Sequence, residues 1–138
     1  MAIQLRSTIR DARLNAIETT GGGSCALKVF TGTQPADCAA ANSGTDLVTI
    51  NLPADWMADA SGGSKAKGAG AWSGTAGAGA GATPGHFRIY NSQATMDGTT
   101  CIAQGSCGIG SGDLSFDGTI TSGQTVTVGT FTLTDGNA

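Results

Sequence analysis

Residues 113–134, DLSFDGTITSGQTVTVGTFTLT, constrain the fold of this chain more than any other stretch. Apolar residues alternate with threonine from Val126 to Leu133, with a slip of one position at Gly129. Alternation with a period of two places one set of side chains in a core and the other set in water. The slip indicates a β-bulge or a close backbone approach. The stretch therefore predicts a core strand near the C-terminal end of an antiparallel β domain.

Other short apolar segments extend this pattern along the chain. Strand-like runs occur in CALKVFTG, LVTINLP, HFRIYNS and TTCIAQGSC, and turn residues separate them. The dipeptides Asp117-Gly118 and Ser122-Gly123 are typical of tight turns and predict a hairpin that leads into the final strand. About seven or eight short strands at this spacing indicate an antiparallel β-sandwich or jelly-roll-like domain.

Residues 3–18 have the periodicity of an amphipathic helix, with apolar positions every three or four residues and arginines on another face. The apolar positions are Leu5, Ile9, Ala12, Leu14, Ala16 and Ile17, and the arginines are Arg6, Arg10 and Arg13. The arginines form either a solvated face or an ion-paired docking surface for an acidic partner. Three glycines end the helix. We therefore predict a mainly β chain with one N-terminal helix, divided into a helical arm at residues 1–23 and a single β-sandwich domain at residues 24–138.

Residues 61–84, SGGSKAKGAGAWSGTAGAGAGATP, are rich in glycine and alanine. This composition predicts a flexible loop, with Lys65 and Lys67 as a solvated basic pair. Trp72 favours an alternative in which the AWSGTA part forms an edge strand, because a large ring is seldom found in a disordered tract. Trp56 and Trp72 are expected to anchor the core, cover the sheet edge or dock a partner.

The length and charge of the chain limit its range of partners. With 138 residues it is long enough for one domain with a core. Charged residues make up only 12%, and seven Lys and Arg side chains are too few for a broad nucleic-acid-binding face. A surface with a net charge of −3 fits either a neutral soluble domain or one that copies of itself or a partner cover. Arginines interrupt the N-terminal stretch and no apolar run is long enough to cross a membrane, so we expect a cytoplasmic origin without a signal peptide.

The four cysteines leave three alternatives open. Their spacing lacks the paired C-x2-C pattern of a zinc ribbon, so a four-thiolate metal site is the least favoured. The cysteines either remain thiols or form disulfides after the protein leaves the reducing cell. The candidates are Cys25, Cys38, Cys101 and Cys107, with Cys101–Cys107 as the more local pair.

Catalytic side chains are scarce in this sequence. His86 is the single histidine and opens a predicted strand, where it is expected to be a polar edge residue. The chain has no G-x-S-x-G elbow, phosphate-binding loop, histidine metal pair or calcium loop. We therefore predict a protein that is not an enzyme and that needs no cofactor or metal.

Four stretches resemble small virion structural proteins of tailed bacteriophages. They are IQLRSTIRDARLNAIETT, VFTGTQPADCAAANSGTDL, LPADWMADASGGSKAKGAGAW, and the pair GHFRIY and TFTLTDGNA. Together they cover most of the chain. The resemblance implies a protein of the head and tail module without catalytic or cofactor residues to transfer.

Within that setting the small β domain and the lightly charged surface are similar to capsid decoration, or cement, proteins. The resemblance thus implies a homo-oligomeric protein of the virion, assembled in the host cytoplasm, whose partner is the major capsid protein or another virion protein. An alternative is a tail or head–tail connector component. A third hypothesis, from another class, is a receptor- or carbohydrate-binding module with Trp56, Trp72 and Tyr90 as stacking platforms.

Overall fold

The computed structural model describes residues 3–77 and 80–136, and in these ranges it has one helix and eleven short strands. The prediction of a mainly β chain with one N-terminal helix is confirmed. The elements are α1 (Ser7–Gly21), β1 (Ala26–Phe30), β2 (Asp46–Asn51), β3 (Ser64–Ala66), β4 (Trp72–Thr75), β5 (Gly81–Ala82), β6 (His86–Tyr90), β7 (Cys101–Ile109), β8 (Leu114–Phe116), β9 (Ile120–Thr121), β10 (Thr125–Val128) and β11 (Thr132–Thr134). Within the described ranges, no helix is long and apolar enough to cross a membrane.

A five-stranded sheet in the order β2-β1-β6-β7-β8 forms the centre of the fold. Its strands are antiparallel except for β7 and β8, which run parallel. One face of this sheet carries the apolar side chains that alternation predicts. Side chains from β1, β2 and β6 form one apolar layer on this face. Leu27, Val29, Val48, Ile50, Phe87 and Ile89 are all almost completely buried there.

The sheet continues past β2 into a second pair of strands. Val48 and Ala76 form an antiparallel bridge, and the Gly77 amide donates to the Leu47 carbonyl at 3.1 Å. Strand β4 then pairs with β10 on its other side. We call the five-stranded sheet together with the β4–β10 pair, which this one bridge joins to it, the curled sheet; its order is β8-β7-β6-β1-β2-β4-β10, and its terminal strands are β8 and β10. The pairs β3–β11 and β5–β9 form separate two-stranded sheets.

The stretch at 113–134 does not form the predicted hairpin. Its four strands pair with four different strands outside the stretch, namely β7, β5, β4 and β3. The alternation in β10 is confirmed, since Val126 and Val128 are buried and their neighbours are exposed. The slip at Gly129 is not a bulge, because residues 129 and 130 lie between β10 and β11 and outside both strands. It is not a close approach either, because a Cβ there would meet nothing within 4 Å. It marks the point where the chain leaves β4 and turns toward β3.

Residues 61–84 contain strands β3, β4 and β5, so part of the predicted loop belongs to the sheets. Ala78 and Gly79, which fall in the same prediction, lie outside the described residues. The strand around Trp72 exists, but it lies between β10 and β2 instead of at an edge. The prediction that Lys65 is solvated is wrong, since that side chain is 1% exposed.

Helix α1 packs against the β strands through a face that carries both apolar and polar side chains. The prediction that an apolar stripe forms this face is wrong. Leu14 is buried and Ile17 packs against the core, but Ile9, Ala12 and Ala16 are exposed.

Polar side chains spaced four and three residues apart lie on the packed face of α1. They accept hydrogen bonds from backbone amides of the irregular segment 57–63, which has few partners in a sheet. The bonds are Gly63 N to Asp11 Oδ1 (2.6 Å), Ala60 N to Asn15 Oδ1 (2.9 Å) and Met57 N to Glu18 Oε1 (3.1 Å). The physical reason for the altered face is thus the need to satisfy buried backbone donors.

The outer face of β1, β6 and β7 is covered by residues 31–45. Arg88 is 0% exposed, and its guanidinium donates to the carbonyls of Cys38 (2.7 Å) and Ala40 (3.0 Å) and to Oδ1 of Asn42 (2.6 Å). The Tyr90 hydroxyl donates to the same Asn42 oxygen at 2.7 Å. The Arg88 guanidinium therefore holds segment 31–45 in place by donating hydrogen bonds to the carbonyl groups of that segment.

Candidate interaction groove

A cavity of about 540 Å³ lies between two parts of the C-terminal region, and we call it the groove. Residues 112–120 form one wall and residues 124–130 form the other. Strand β8 lies in the first wall and β10 in the second. The groove is therefore the gap between the two terminal strands of the curled sheet.

Each wall presents a strand edge for which the described residues provide no partner. Strand β8 pairs with β7 on one side, and β10 pairs with β4 on one side. The Ala76 amide donates to the Gln124 carbonyl at 2.8 Å, which fixes the hydrogen-bonding phase of β10. In an antiparallel pair this phase alternates, so the amides and carbonyls of Thr125 and Thr127 point away from β4 and into the groove.

The side chains of the two edges separate into an inner and an outer set. Leu114, Val126 and Val128 point into the core and are 3–4% exposed. Ser115 and Thr127 lie on the outer, exposed side. The core is thus covered on both walls, and the groove offers backbone groups and small polar side chains to an incoming chain.

A short return connects β7 to β8, although parallel strands usually need a long crossover. Gly110 and Gly112 have φ values of 65° and 88°, which an L side chain rarely adopts. Asp113 accepts hydrogen bonds from the Ser106 amide (2.9 Å) and hydroxyl (2.8 Å). These bonds hold the pKa of the Asp113 carboxyl below its usual value. The carboxylate fixes the position of β8 beside β7.

The charge of the groove is acidic. Among its lining residues, Asp113 and Asp117 carry charge, and both are exposed. An extended segment that is neutral or basic would therefore meet no electrostatic penalty there. Because both walls expose strand backbone, the arrangement is suited to hold a peptide strand by main-chain hydrogen bonds.

The tryptophans that the sequence singled out lie in the core. Trp56 and Trp72 are both 0% exposed, and their ring centroids are 6.1 Å apart. Phe131 lies 5.3 Å from Trp72. Tyr90 is also 0% exposed. None of these three rings therefore lies at the surface of the chain, where it could dock a partner.

The three arginines of α1 have different surroundings. Arg10 donates to the backbone carbonyl of Asp135 at 2.9 Å, and Arg13 forms an ion pair with the Asp135 carboxylate at 3.3 Å. Arg6 is exposed at the N-terminal end of the helix. Arg10 and Arg13 therefore attach the helix to the end of the chain, and Arg6 remains available to a partner.

All four cysteines are free thiols. Cys101 and Cys107 lie six positions apart in β7, a separation of about 20 Å along a strand. A disulfide needs Cα atoms within about 7 Å, so the more local pairing does not fit this fold. Cys25 and Cys107 are buried, and Cys38 and Cys101 are partly exposed.

His86 is fully buried under the covering segment. Its Nδ1 lies 2.9 Å from the Gly32 carbonyl, and its ring stacks on Phe30 with centroids 5.1 Å apart. The prediction of a polar edge residue is wrong, because residues 31–45 cover this strand. Across residues 3–77 and 80–136, no group of three or more His, Cys, Asp or Glu side chains could hold a metal ion.

The sequence did not identify the groove. The one sequence feature that bears on the groove is the alternation at 113–134. Alternation predicts strands, but it does not predict that two of them keep an open edge. In comparisons with known proteins, no family model, curated protein or solved structure matches the chain.

Proposed function

We propose that this chain is a structural protein of a tailed-phage virion, a capsid decoration protein that binds the shell of the major capsid protein and stabilises it. The observation that supports this proposal is the groove, where the terminal strands β8 and β10 of the curled sheet each leave one edge open. In the proposed complex, an extended segment of the capsid protein enters the groove and pairs with β8 and β10.

Strand addition is the interaction for which the groove has suitable chemistry. Main-chain hydrogen bonds supply affinity without a particular side chain, and alternate side chains of the added strand supply specificity. Exposed strand edges in monomeric proteins are usually shortened, charged or covered. The β10 edge carries threonine and valine without a charge, so it lacks the usual protection against pairing.

The chemistry of the occupant follows from the lining residues. The two charged groups, Asp113 and Asp117, are both acidic, and Ser115 and Thr127 offer small hydroxyl groups. An extended segment with small or apolar side chains and no acidic residue fits these conditions. The N-terminal region offers a second contact, since Ile3 and Ile9 are 84% and 51% exposed.

Many modest contacts repeated over a shell would stabilise it through multivalency. On this proposal, copies of the chain sit at joints between capsid subunits, where each added strand links the decoration protein to its neighbour. We also propose that the strands form a β-sandwich or jelly-roll-like domain and that the protein is a homo-oligomer. No observation favours the carbohydrate-binding alternative, because its three stacking rings are buried in the chain.

Replacing Thr127 with proline is expected to weaken binding to capsid shells about tenfold while leaving the fold intact. Proline removes the amide that points into the groove, and such a position at a strand edge tolerates proline. The measurement is co-sedimentation of the purified variant with shells of the major capsid protein from a phage that encodes this chain. Circular dichroism and thermal unfolding check the fold.

Thr127→Ser is the matched control, since serine keeps the amide and can keep the hydroxyl contact with Ser73, which is 3.1 Å in the structure. It should bind as the unmodified chain does. Equal binding by a folded Thr127→Pro variant would show that strand addition at this edge is not the mode of attachment.

A further inference from the structure

Two cysteines far apart in sequence meet on the outer face of the sheet. Cys101 begins β7 and lies opposite Tyr90 of β6, across an irregularity in the strand register. Tyr90 and Arg88 project on that outer face toward the covering segment 31–45, and Cys38 belongs to this segment. The pairing of strands and the path of the segment together place both thiols in one region.

Arg88 lies near both cysteines. Its Nη2 donates to the Cys38 carbonyl at 2.7 Å, and its charge lies close enough to Cys101 to offset part of the rise in the pKa of that thiol. The two thiols lie close enough for Cys38 to add to the rise in the pKa of Cys101, and the Cys101 Sγ donates to the Ala103 carbonyl at 3.4 Å. Both cysteines are partly exposed, so a small reagent can reach them, whereas Cys25 and Cys107 are buried.

We propose that Cys38 and Cys101 form a disulfide when the protein passes from the reducing cytoplasm to an oxidising medium, and that this bond fastens segment 31–45 to β7. The pair is the one that the fold brings together, and it differs from the local pair that sequence spacing favours. The proposal is independent of the capsid function, because it concerns the covering segment and not the groove.

The oxidant is a low-molecular-weight disulfide, such as oxidised glutathione. The Cys38 thiolate attacks one of its sulfurs, which forms a mixed disulfide and releases one glutathione thiolate. The Cys101 sulfur then loses its proton and attacks Cys38 Sγ, which forms the protein disulfide and releases the second glutathione. In total two protein thiols lose two protons and two electrons, and one glutathione disulfide becomes two thiols.

Burial, with the neighbouring Cys38 as a further cause, raises the pKa of Cys101 to about 11. The Cys101 thiol is therefore protonated at neutral pH, and the pair remains reduced until the Cys38 sulfur attacks an oxidant. Residues between 38 and 101 include β2 to β6, so the bond would close a long loop and restrict the unfolded chain.

The test uses the full chain incubated with excess oxidised glutathione at pH 8. Digestion without reductant, followed by mass spectrometry, should recover one linked peptide pair that contains Cys38 and Cys101. The melting temperature should rise by about 10 °C on oxidation and return to its original value with dithiothreitol. Cys25→Ala/Cys107→Ala should show the same link, and Cys38→Ser or Cys101→Ser should show neither the link nor the rise.

Each other result overturns the proposal. A link that involves Cys25 or Cys107, a disulfide between two molecules, or glutathione that stays on Cys38 would show that the two thiols do not pair. A Cys38–Cys101 link without a change in melting temperature would show that the bond does not fasten the segment. Because the unmodified chain gives the primary result, a variant that fails to fold does not affect the test.

Discussion

Replacing Glu18 with alanine is expected to lower the free energy of unfolding by about 3–5 kcal/mol. Lys65 is 1% exposed, and its Nζ lies 2.9 Å from Glu18 Oε2. The same Nζ donates to Asn15 Oδ1 at 2.9 Å and to the Ala58 carbonyl at 2.8 Å. Removal of the carboxylate leaves a buried ammonium group with neutral acceptors alone, and such a charge is costly to keep out of water.

The matched comparison is Lys65→Met, alone and combined with Glu18→Ala. Methionine fills a similar volume without charge, so we expect a loss of about 1–2 kcal/mol for the single change. The double variant should be more stable than Glu18→Ala alone, because the unpaired charge is gone. Urea unfolding measures all three. Additive losses in the double variant would contradict the assignment of Lys65 and Glu18 as a coupled buried pair.

Replacing Arg88 with methionine is expected to cost about 3–5 kcal/mol and to release segment 31–45 from the sheet. The guanidinium satisfies the carbonyls of Cys38 and Ala40 and the side chain of Asn42. Without it these acceptors lie against an apolar side chain, and the segment has to open to reach water. Amide hydrogen exchange should therefore accelerate most strongly in residues 31–45.

Two controls separate this effect from a general loss of stability. Arg13→Met removes a surface ion pair whose arginine side chain is 60% exposed, and it should change stability by less than about 1 kcal/mol. Arg88→Lys keeps the charge but loses the planar fork of donors, so it should fall between the unmodified chain and Arg88→Met. Unchanged exchange in residues 31–45 of Arg88→Met would show that the guanidinium does not hold the segment.

The strands were predictable because alternation is local. In β10, Val126 and Val128 point inward as the pattern requires. The partner of each strand was not predictable, since backbone groups pair equally well with any strand that offers a free edge. The hairpin expected at Asp117-Gly118 and Ser122-Gly123 is therefore absent, and the open edges of the groove could not be foreseen.

The packing face of the helix shows why apolar periodicity can mislead. Apolar periodicity considers only the side chains of α1 itself. The face that packs also depends on the groups of the chain that the helix packs against. Segment 57–63 presents backbone amides, and Lys65 presents a buried charge, so acceptors such as Asp11 and Glu18 face inward. The apolar Ile9 consequently remains exposed.

The candidate residues for docking and for disulfides depended on long-range contacts that spacing does not encode. Trp56 and Trp72 were expected in the core or at a docking surface, and the fold places them in the core. Cys38 meets Cys101 because the covering segment folds over β6 and β7. Only the path of the chain in three dimensions selects between such alternatives.

The copy number of the protein in purified phage particles tests the proposed role most directly. Quantitative mass spectrometry should measure it relative to the major capsid protein. A capsid decoration protein is expected at a number comparable to that of the capsid subunit. A number far below that of the capsid subunit would indicate a connector or tail component, and absence from the particle would contradict the virion role.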